Sequence, residues 1–489
     1  MIQRDIVIIG AGGVGCAVAR ELSRCKLNIT VLEKECDIAG GISGRNSAVV
    51  HAGFNNAPGS LMAKLCVEGN RGFESLCKEL DIPYRKTGKL LVAFDENDLE
   101  ILRGMIAQGE ANGCQGLRLV SAEELAALAL GVAGIGGMYS PETAIFDPFT
   151  YCIALAENAL ANGVEFRFQS AVTEIQREDS GFVVTTVGGD VYACRYLINC
   201  AGLYGGQISK LAGGPAYEIY PCRGEYFILD KIADDLLPLP IYPAPRKGIG
   251  GLGVHLTPTS ASNIIIGPSA EYISQLDDLS CTRPVMDQLF AEAKALLPAI
   301  ERKHIIGSYA GIRPKLAPPE EGGYRDFIVQ EEASCPGLIN LIGIESPGLT
   351  ASVPMARMVR EILAKGMAAK GTPLEEKEDF VATRKGPVRF RDCTEDEQAK
   401  LIAENPEYGE IFCRCQKVTK AEIRAAIENP FDAKSISAIK YRAWATTGRC
   451  NGGYCLTRIV DMLIHEYGLK PEEITYRSAG SEMFAGEVK

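Results

Sequence analysis

Residues 6–15 read IVIIGAGGVG, and this stretch decides the fold of the first part of the chain. A β-branched run breaks at the pattern G-x-G-x-x-G, and an apolar segment with helical spacing, residues 16–22, follows it. Gly10 permits a tight turn, Gly12 lets the backbone approach a pyrophosphate, and Gly15 lets the helix pack close to the strand. The N-terminus of that helix offers free N–H groups and partial positive charge. The order strand, turn and helix therefore predicts a dinucleotide site.

A second predicted strand, residues 28–32, ends at Glu33 and Lys34. An acid at this place can accept hydrogen bonds from a ribose diol, and Glu33 follows Gly10 by about twenty residues, as the fingerprint requires. Two other readings are an ordinary strand–helix turn and a secretory signal. The two strands and the terminal acid disfavour the first, and Asp5 with the dense glycines disfavours the second.

The bulk properties exclude several classes of protein. A chain of 489 residues predicts two or three domains. The net charge of −11 argues against sequence-independent nucleic-acid binding, which needs clustered basic residues. No apolar run reaches the length of a membrane span, so a membrane would be reached through a partner. Thirteen of the 17 cysteines are scattered singly, which predicts reduced thiols in a cytoplasmic protein.

A glycine- and serine-rich passage, residues 39–47, precedes a short apolar stretch and a predicted helix over residues 61–80. Such a passage either lies against a flat ring or is a plain surface loop. Residues 45–53 (RNSAVVHAG) and 58–70 (PGSLMAKLCVEGN) resemble FAD-dependent oxidoreductases of the D-amino-acid-oxidase superfamily. They are most similar to L-2-hydroxyglutarate oxidases and to the FAD subunit of anaerobic glycerol-3-phosphate dehydrogenases. This resemblance implies that the G-x-G-x-x-G site binds FAD.

The same resemblance implies further contacts with FAD. Val172 stands where a backbone contact to adenine is usual, and a buried strand over residues 196–202 ends in small residues. Residues 343–350 (GIESPGLT) resemble the last FAD segment, where a helix over residues 351–364 points its N-terminus at the isoalloxazine ring. The cofactor-binding residues expected in addition to the first five are Arg45, Asn46, Ser47, Val172, Ala201, Gly202, Gly343, Gly348, Leu349 and Thr350.

Strands and proline-rich loops dominate residues 217–312, where residues 221–227 and 253–258 resemble the hydroxyglutarate oxidases. We expect this block to form an antiparallel sheet that covers the flavin and builds the substrate pocket. Oxidation of an alcohol by a flavin needs a group that accepts the hydroxyl proton. Of four histidines, His255 and His51 lie in the segments most like the flavin and substrate walls, and the other reading is that both only pack. His304 and His465 are expected to be structural.

The substrate's acidic end needs an anchor, and Arg313 is the first candidate because its fork can bind a carboxylate or phosphate with two parallel bonds. Lys315 and Arg223 are supporting candidates, for which solvated surface charges are the other reading. Tyr226 is a further candidate through its hydroxyl. The predicted catalytic set is therefore His255, His51 and Arg313.

Four cysteines near the C-terminus form two close pairs, Cys413 with Cys415 and Cys450 with Cys455. Four thiolates can bind zinc or a two-iron, two-sulfur cluster. A C-x-C pair is uncommon in zinc sites, and the adjacent glycines leave N–H groups that can donate to sulfur. Residues 401–469 resemble the bacterioferritin-associated-ferredoxin-like domain, and this resemblance implies a [2Fe–2S] cluster on these cysteines. The cations around them are Arg414, Lys417, Arg442 and Arg449.

The predicted fold class is α/β: a Rossmann-like doubly wound FAD domain, an antiparallel substrate domain and a small C-terminal iron–sulfur module. The FAD domain is expected over residues 1–85, 144–212 and 325–370, and the substrate domain over 86–143 and 213–324. A linker over 371–395 and the cluster module over 396–489 complete the chain.

The predicted activity is a dehydrogenase that oxidises a small anionic secondary alcohol of the L-2-hydroxyglutarate or glycerol 3-phosphate type. Because a cluster carries one electron at a time, we expect electrons to pass to a redox partner. Two alternatives are an amine or amino-acid dehydrogenase of the same superfamily and an electron-transfer subunit without its own substrate. Rapid bleaching of the flavin by a substrate panel distinguishes them.

Overall fold

The computed structural model describes residues 1–232, 236–245 and 253–486. It separates into two compact units: the first holds residues 1–32 and 39–384, and the second holds residues 33–38 and 385–489. The strands of the first unit are β1 (Ile2–Ile9), β2 (Ile29–Leu32), β3 (Val49–Val50), β4 (Tyr84–Lys86), β5 (Lys89–Ala93), β6 (Arg118–Ser121), β7 (Gly136–Ser140), β8 (Ala144–Phe146), β9 (Glu165–Arg167), β10 (Val172–Glu178), β11 (Gly181–Thr186), β12 (Val191–Asn199), β13 (Tyr220–Lys231), β14 (Ile241–Pro243), β15 (His255–Pro258), β16 (Asn263–Gly267), β17 (Glu271–Tyr272), β18 (Ile305–Lys315), β19 (Ile328–Glu331) and β20 (Leu338–Ile342).

The helices of the first unit begin where the sequence supplies caps. Ser60 accepts a hydrogen bond from the Ala63 N–H at the start of the second helix, and Asp147 caps the fifth, whose first residue is proline. The helices are α1 (Gly13–Leu22), α2 (Leu61–Leu80), α3 (Glu96–Ala111), α4 (Ala122–Leu128), α5 (Pro148–Ala161), α6 (Gly205–Leu211), α7 (Arg283–Leu296) and α8 (Gly348–Ala369).

An eight-stranded sheet carries the dinucleotide fingerprint. Its order is β10-β11-β12-β1-β2-β9, with β20 paired to β12 and β19 paired to β20. The pairings of β1 with β12 and β2, of β2 with β9, and of β12 with β20 are parallel. Helix α1 packs against α5 and against α8, and β1 and β12 contribute buried side chains such as Val7 and Leu197 to the core. This is the predicted α/β class.

A nine-stranded sheet forms the other part of the first unit. Its order is β17-β13-β16-β15-β14-β5-β7-β6, and β18 pairs with β13. Every pairing is antiparallel except that of β14 with β5, so the expected antiparallel sheet contains one parallel pair. A three-stranded antiparallel sheet, β3-β8-β4, completes the unit. Both the eight- and nine-stranded sheets draw strands from distant parts of the chain, and the exact domain boundaries stay a prediction.

The second unit is small and has its own apolar core, which includes Phe412, Ile423, Ile439 and Ile459. Its elements are α9 (Glu395–Glu404), β21 (Ile411–Cys413), β22 (Val418–Thr419), α10 (Lys420–Ile427), α11 (Ile436–Ala443) and α12 (Leu456–His465). A capping box between Thr419 and Glu422 starts α10. Within the parts of the chain that are described, no helix is long and apolar enough to cross a bilayer.

Candidate active site and cluster site

The turn after β1 has the shape that a dinucleotide requires. Gly10 has a φ of +105°, which favours glycine, and a Cβ on Gly15 would lie 1.9 Å from the Gly10 carbonyl oxygen. A Cβ on Gly12 would meet only the Ser43 Oγ, at 3.0 Å, so the backbone there is open to a ligand. No side chain caps the first turn of α1, although the Gly13 N–H donates to Ser43 Oγ. This cradle fits a pyrophosphate, as the sequence predicts.

The residues predicted to contact adenosine stand just after, or at the start of, strands of the eight-stranded sheet. Glu33 follows β2, and its carboxylate accepts a hydrogen bond from the Glu35 N–H at 2.9 Å. Ala201 and Gly202 follow β12, and a Cβ on Gly202 would meet no atom within 4 Å. Val172 is the first residue of β10. Lys34 is exposed and forms an ion pair with Glu35.

A cavity of about 860 Å³ lies beside the cradle in the first unit. It is lined by Val14 of α1, by the passage after β2 and by strands of the nine-stranded sheet. The predicted site residues that line it are Arg45, Asn46, Ser47, His51, Tyr226, His255, Arg313, Lys315, Gly348, Leu349 and Thr350. Gly348 begins α8, whose first turn no side chain caps, so the N-terminus of this helix points partial positive charge into the cavity. Gly343, with a φ of +71°, directly follows β20.

Hydrogen bonds fix both the ring and the backbone of His51. Its Nε2 lies 3.2 Å from Ser346 Oγ, and its backbone N–H donates to Thr350 Oγ1 at 3.1 Å. Its carbonyl accepts a hydrogen bond from Asn70 Nδ2 at 3.1 Å. Burial lowers the pKa of His51 to about 3, with a smaller contribution from Lys89, so the imidazole is neutral at physiological pH.

His255 is buried at the start of β15, and its Nδ1 has no hydrogen-bond partner among the described residues. Its ring stacks on Tyr242, with centroids 3.7 Å apart and planes within 4°. Burial and then the neighbouring Lys89 and His51 hold the pKa of His255 well below its ordinary value. A neutral imidazole with a free ring nitrogen can accept a proton. The structure thus brings the two predicted histidines into one cavity.

Arg313 is half-buried in β18, and its bonds leave part of its guanidinium unused. Nη2 donates to the Ser269 carbonyl at 2.6 Å and Nε donates to the Cys222 carbonyl at 3.4 Å. Both partners are neutral, and within the described residues no carboxylate forms an ion pair with Arg313. The residue therefore keeps its positive charge available for an anion in the cavity.

The two supporting cations are already neutralised. Lys315 Nζ forms an ion pair with Glu345 at 2.9 Å, and both side chains are buried. Arg223 does not line the cavity; its guanidinium binds Asp278 at 2.5 Å and Glu271 at 2.7 Å. These carboxylates satisfy the fork of Arg223, so we remove it from the anion site. Lys315 stays a cavity-lining residue with little charge to offer.

Tyr226 lines the cavity and stacks on Tyr309 at 4.6 Å. Burial raises the pKa of Tyr226 to about 12, so its hydroxyl keeps its proton. Lys89 was not among the residues predicted from the sequence; it is buried beside the two histidines and lies over the Tyr242 ring. The signal was available, because Lys89 is the one charge in the apolar run KLLVAF.

The four grouped cysteines of the second unit meet as two pairs. Cys415 Sγ lies 3.5 Å from Cys450 Sγ, and Cys413 hydrogen-bonds to Cys455. Each pair takes one cysteine from each sequence motif. The Cys455 thiol lowers the pKa of Cys413 to about 6, which favours the thiolate that a metal needs. The first pair is exposed and the second is buried.

This arrangement fits a binuclear cluster. In the described residues, no three His, Cys, Asp or Glu side chains converge on one point as ligands of a single metal ion. Zinc requires four ligands around one point, whereas a [2Fe–2S] cluster takes two cysteines on each of two irons. Gly448 permits the close approach, because a Cβ there would lie 2.2 Å from Cys415 Cβ. Two pairs of thiols match the ligand count of a [2Fe–2S] cluster, which takes two cysteines on each iron.

Three of the four predicted cations near the cysteines are exposed: Arg414, Lys417 and Arg449. Arg414 lies over the Tyr454 ring at 4.1 Å. Arg442 is different, because its side chain is buried and its Nη2 donates to Asp37 Oδ1 at 2.8 Å. We therefore define the cationic face of the second unit by the first three residues alone.

Comparison with known proteins gives two family matches. A family described as FAD dependent oxidoreductase (DAO) matches residues 5–362, and one described as BFD-like [2Fe-2S] binding domain matches residues 411–465. A glycerol 3-phosphate dehydrogenase of Caloramator mitchellensis is 36% identical over 487 residues, which is 99% of both chains. The mitochondrial L-2-hydroxyglutarate dehydrogenase of Arabidopsis thaliana is 31% identical over 400 residues, covering 73% of this chain and 82% of the relative.

Solved structures show the same architecture. The dithionite-reduced L-alpha-glycerophosphate oxidase from Mycoplasma pneumoniae with FAD bound has a TM-score of 0.73 and 28% identity, over 80% of this chain and all of that one. Glycine oxidase from Geobacillus kaustophilus has a TM-score of 0.67 at 20% identity, which is a likeness of fold alone.

Proposed function

Because the chain belongs to the family of FAD dependent oxidoreductases and carries a BFD-like [2Fe-2S] binding domain, we propose that it is a dehydrogenase for glycerol 3-phosphate. The predictions of FAD and of a [2Fe–2S] cluster as cofactors are confirmed by these matches and by the FAD-bound relative. The prediction of an oxidoreductase that acts on CH–OH groups is confirmed in the same way. The substrate and the roles of individual residues are our proposal.

The observation that carries the proposal is the charge pattern of the cavity. Arg313 is a half-buried cation with neutral partners, and two neutral histidines line the same space. A small substrate with one anionic end and one hydroxyl end matches this pattern. Arg313 would bind the phosphate, and His51 or His255 would accept the hydroxyl proton. FAD, when bound, supplies the acceptor for the hydride.

L-2-Hydroxyglutarate is the second candidate, because β13 and β15 lie in segments that resemble the hydroxyglutarate oxidases. The relative with that activity covers 73% of this chain, whereas the glycerol 3-phosphate relative covers 99% and so includes the cluster module. A relative that shares both parts is the better guide to a reaction that uses both cofactors. This difference favours glycerol 3-phosphate.

Anaerobic bleaching of the flavin tests the proposal. Purified protein is mixed with glycerol 3-phosphate, glycerol, L-2-hydroxyglutarate or a set of amino acids in a stopped-flow spectrometer. Glycerol is the matched control, because it has the hydroxyl and lacks the anion. We expect rapid bleaching by glycerol 3-phosphate and none by glycerol. Bleaching by amino acids alone would establish the amine alternative, and no bleaching by any compound would support an electron-transfer subunit.

The presence of a one-electron carrier supports a separate electron acceptor. A flavin that has taken a hydride holds two electrons, and a [2Fe–2S] cluster accepts one at a time. We therefore propose that the second unit delivers electrons to a redox partner and that turnover with oxygen is slow. Dye-linked activity under anaerobic conditions, compared with the rate of oxygen consumption, tests this part of the proposal.

A further inference from the structure

Lys89 is a buried cation whose surroundings are apolar and aromatic. It is the first residue of β5, and 1% of its surface is exposed. Its Nζ lies 4.0 Å from the centroid of the Tyr242 ring and 4.7 Å from that of Phe54. The position follows from the sheet: Leu91 pairs with Tyr242 across β5 and β14, and Lys89 shares the face of Leu91.

Lys89 and His255 lie on opposite faces of the Tyr242 ring. The imidazole covers one face in parallel at 3.7 Å, so an ammonium 4.0 Å from the same centroid must occupy the other. The result is a sandwich of ammonium, phenol ring and imidazole. The Tyr242 ring stabilises the Lys89 ammonium, and a positive charge on the His255 imidazole would repel that ammonium.

Other buried cations in the first unit have counter-charges or hydrogen-bond partners. Lys315 pairs with Glu345, Arg223 binds two carboxylates, and Arg20 donates to Asn158 and to the Ala382 carbonyl. Within the described residues, no carboxylate pairs with Lys89. Burial of an ammonium group without a counter-ion is costly, so this charge calls for a functional explanation.

We propose that Lys89 is a positioning residue of the active site, whose ammonium across the Tyr242 ring keeps the cavity imidazoles unprotonated while no substrate is bound. It touches neither substrate nor reacting atoms in this scheme and acts through His255 and His51. The proposal rests on the proposed function only for the identity of the proton donor, a substrate hydroxyl. A structural role for Lys89 would predict neither its missing counter-ion nor its place beside two histidines.

The titratable neighbours support this role. Lys89 faces Cys66 of α2, Tyr242 of β14 and the two cavity histidines, and Arg313 of β18 also acts on His255. Lys89 lowers the pKa of both histidines, second only to burial. Burial lowers the pKa of Lys89 itself to about 7. Below that pH, where an ordinary imidazole takes up a proton, Lys89 is charged and opposes the uptake.

The test is the variant Lys89→Met in the holoenzyme, with exposed Lys64→Met of α2 as the matched control. Histidine labelled with ¹³C in its ring reports each imidazole pKa by NMR, and the chain has only four histidines. His304, outside the cavity, is an internal reference. We expect the pKa of a cavity histidine to rise by at least one unit in Lys89→Met, and the acid limb of flavin reduction to move upward with it.

Thermal unfolding separates this role from a structural one. If the Lys89 charge does not contribute to folding, Lys89→Met should unfold at an unchanged or higher temperature and should retain FAD. Unchanged histidine titration would overturn the proposal, and so would failure of both Lys89→Met and Lys89→Gln to fold. The NMR and unfolding measurements use no substrate, so they remain decisive if glycerol 3-phosphate fails to bleach the flavin.

Discussion

At the residue scale, the cations that line the cavity differ in whether a carboxylate neutralises them. Among the described residues, Arg313 hydrogen-bonds only to carbonyl oxygens, whereas Lys315 on the same strand pairs with a buried carboxylate. Both residues are predicted anion anchors from the sequence. Residue type and spacing do not show which carboxylate from a distant part of the chain will form an ion pair with either of them. Glu345 lies 30 residues beyond Lys315 and joins it only in the folded protein.

The variant Arg313→Ala tests the anchor. We expect FAD binding to persist and substrate affinity to fall at least tenfold, because loss of one partner of a buried charged hydrogen bond costs about 2–5 kcal/mol. The KM from anaerobic dye-linked assays and the flavin content measure these effects. Exposed Arg283→Ala of α7 is the control. Equal affinity in Arg313→Ala and wild type would place the anion elsewhere.

The histidine environment predicts the pH dependence of the wild-type enzyme. Because burial lowers the pKa of His51 to about 3, this imidazole gains its proton only in strong acid, not near pH 6.5. We expect kcat/KM for flavin reduction to stay level from pH 8 down to about pH 5. A half-loss of activity near pH 6.5 would show an ordinary solvated histidine as the base. The unfolded chain takes up this proton at higher pH, so stability falls as pH drops below 6.5.

At the element scale, local sequence signals predict where helices and strands lie, whereas tertiary contacts determine helix ends and strand pairings. Helix α2 has the bounds that the sequence predicts, since Ser60 caps its start and a left-handed Asp81 ends it. Helix α8 begins three residues before its predicted start and runs five beyond its predicted end. The stack of Tyr242 on His255 joins two strands, β14 and β15, and Lys89 joins it through the parallel β5–β14 pair. No local pattern announces such pairings.

The predicted linker contains a segment that is tied to the first unit. Residues 375–384, which we call the strap, follow α8. Asn162, at the end of α5, donates to the Val381 carbonyl at 2.9 Å and accepts from the Val381 N–H at 2.8 Å. Arg20 donates to the Ala382 carbonyl at 3.0 Å. Composition predicted a charged linker and could not reveal these buried partners.

Loss of the Asn162 side chain should release the strap. In Asn162→Ala two hydrogen bonds to Val381 disappear: the Val381 N–H loses its partner, while its carbonyl keeps the bond from Asn158 Nδ2. An N–H left without a partner costs about 1–3 kcal/mol. We expect faster cleavage of the strap by trypsin, followed by mass spectrometry. Lys26→Ala removes an exposed ion pair with strap residue Glu375 and is the control, because exposed pairs contribute little. Equal cleavage rates in both variants would show that the strap is held by other contacts.

At the scale of the whole molecule, the two units carry different cofactors and can be unloaded separately. We expect about two iron and two acid-labile sulfide per chain, and Cys450→Ser should lose them while FAD stays bound, since the fingerprint glycines lie in the first unit. Cys393→Ser, in the second unit and outside the grouped cysteines, is the control. One zinc per chain without sulfide would refute the cluster.

The cationic face is opposite in charge to the chain as a whole. Arg414, Lys417 and Arg449 are exposed beside the exposed pair Cys415 and Cys450, while the chain as a whole has a net charge of −11. An acidic redox partner would be attracted to this face, and such attraction raises association rates and weakens with salt.

Charge reversal of Arg414 and Lys417 to Glu should therefore raise the KM for the native acceptor and abolish its salt dependence. Bleaching of the flavin by substrate should not change, because the two cations lie in the unit that carries the cluster. Lys400→Glu on α9 of the same unit reverses one charge away from the grouped cysteines in sequence, which is half the change of the double variant, and is the control. In the Cys413→Ser variant, substrate should still reduce the flavin, and turnover with the native acceptor should be lost. If this variant turned over as fast as the wild type, the cluster would have a structural role, and electron transfer to a partner at the cationic face would be refuted.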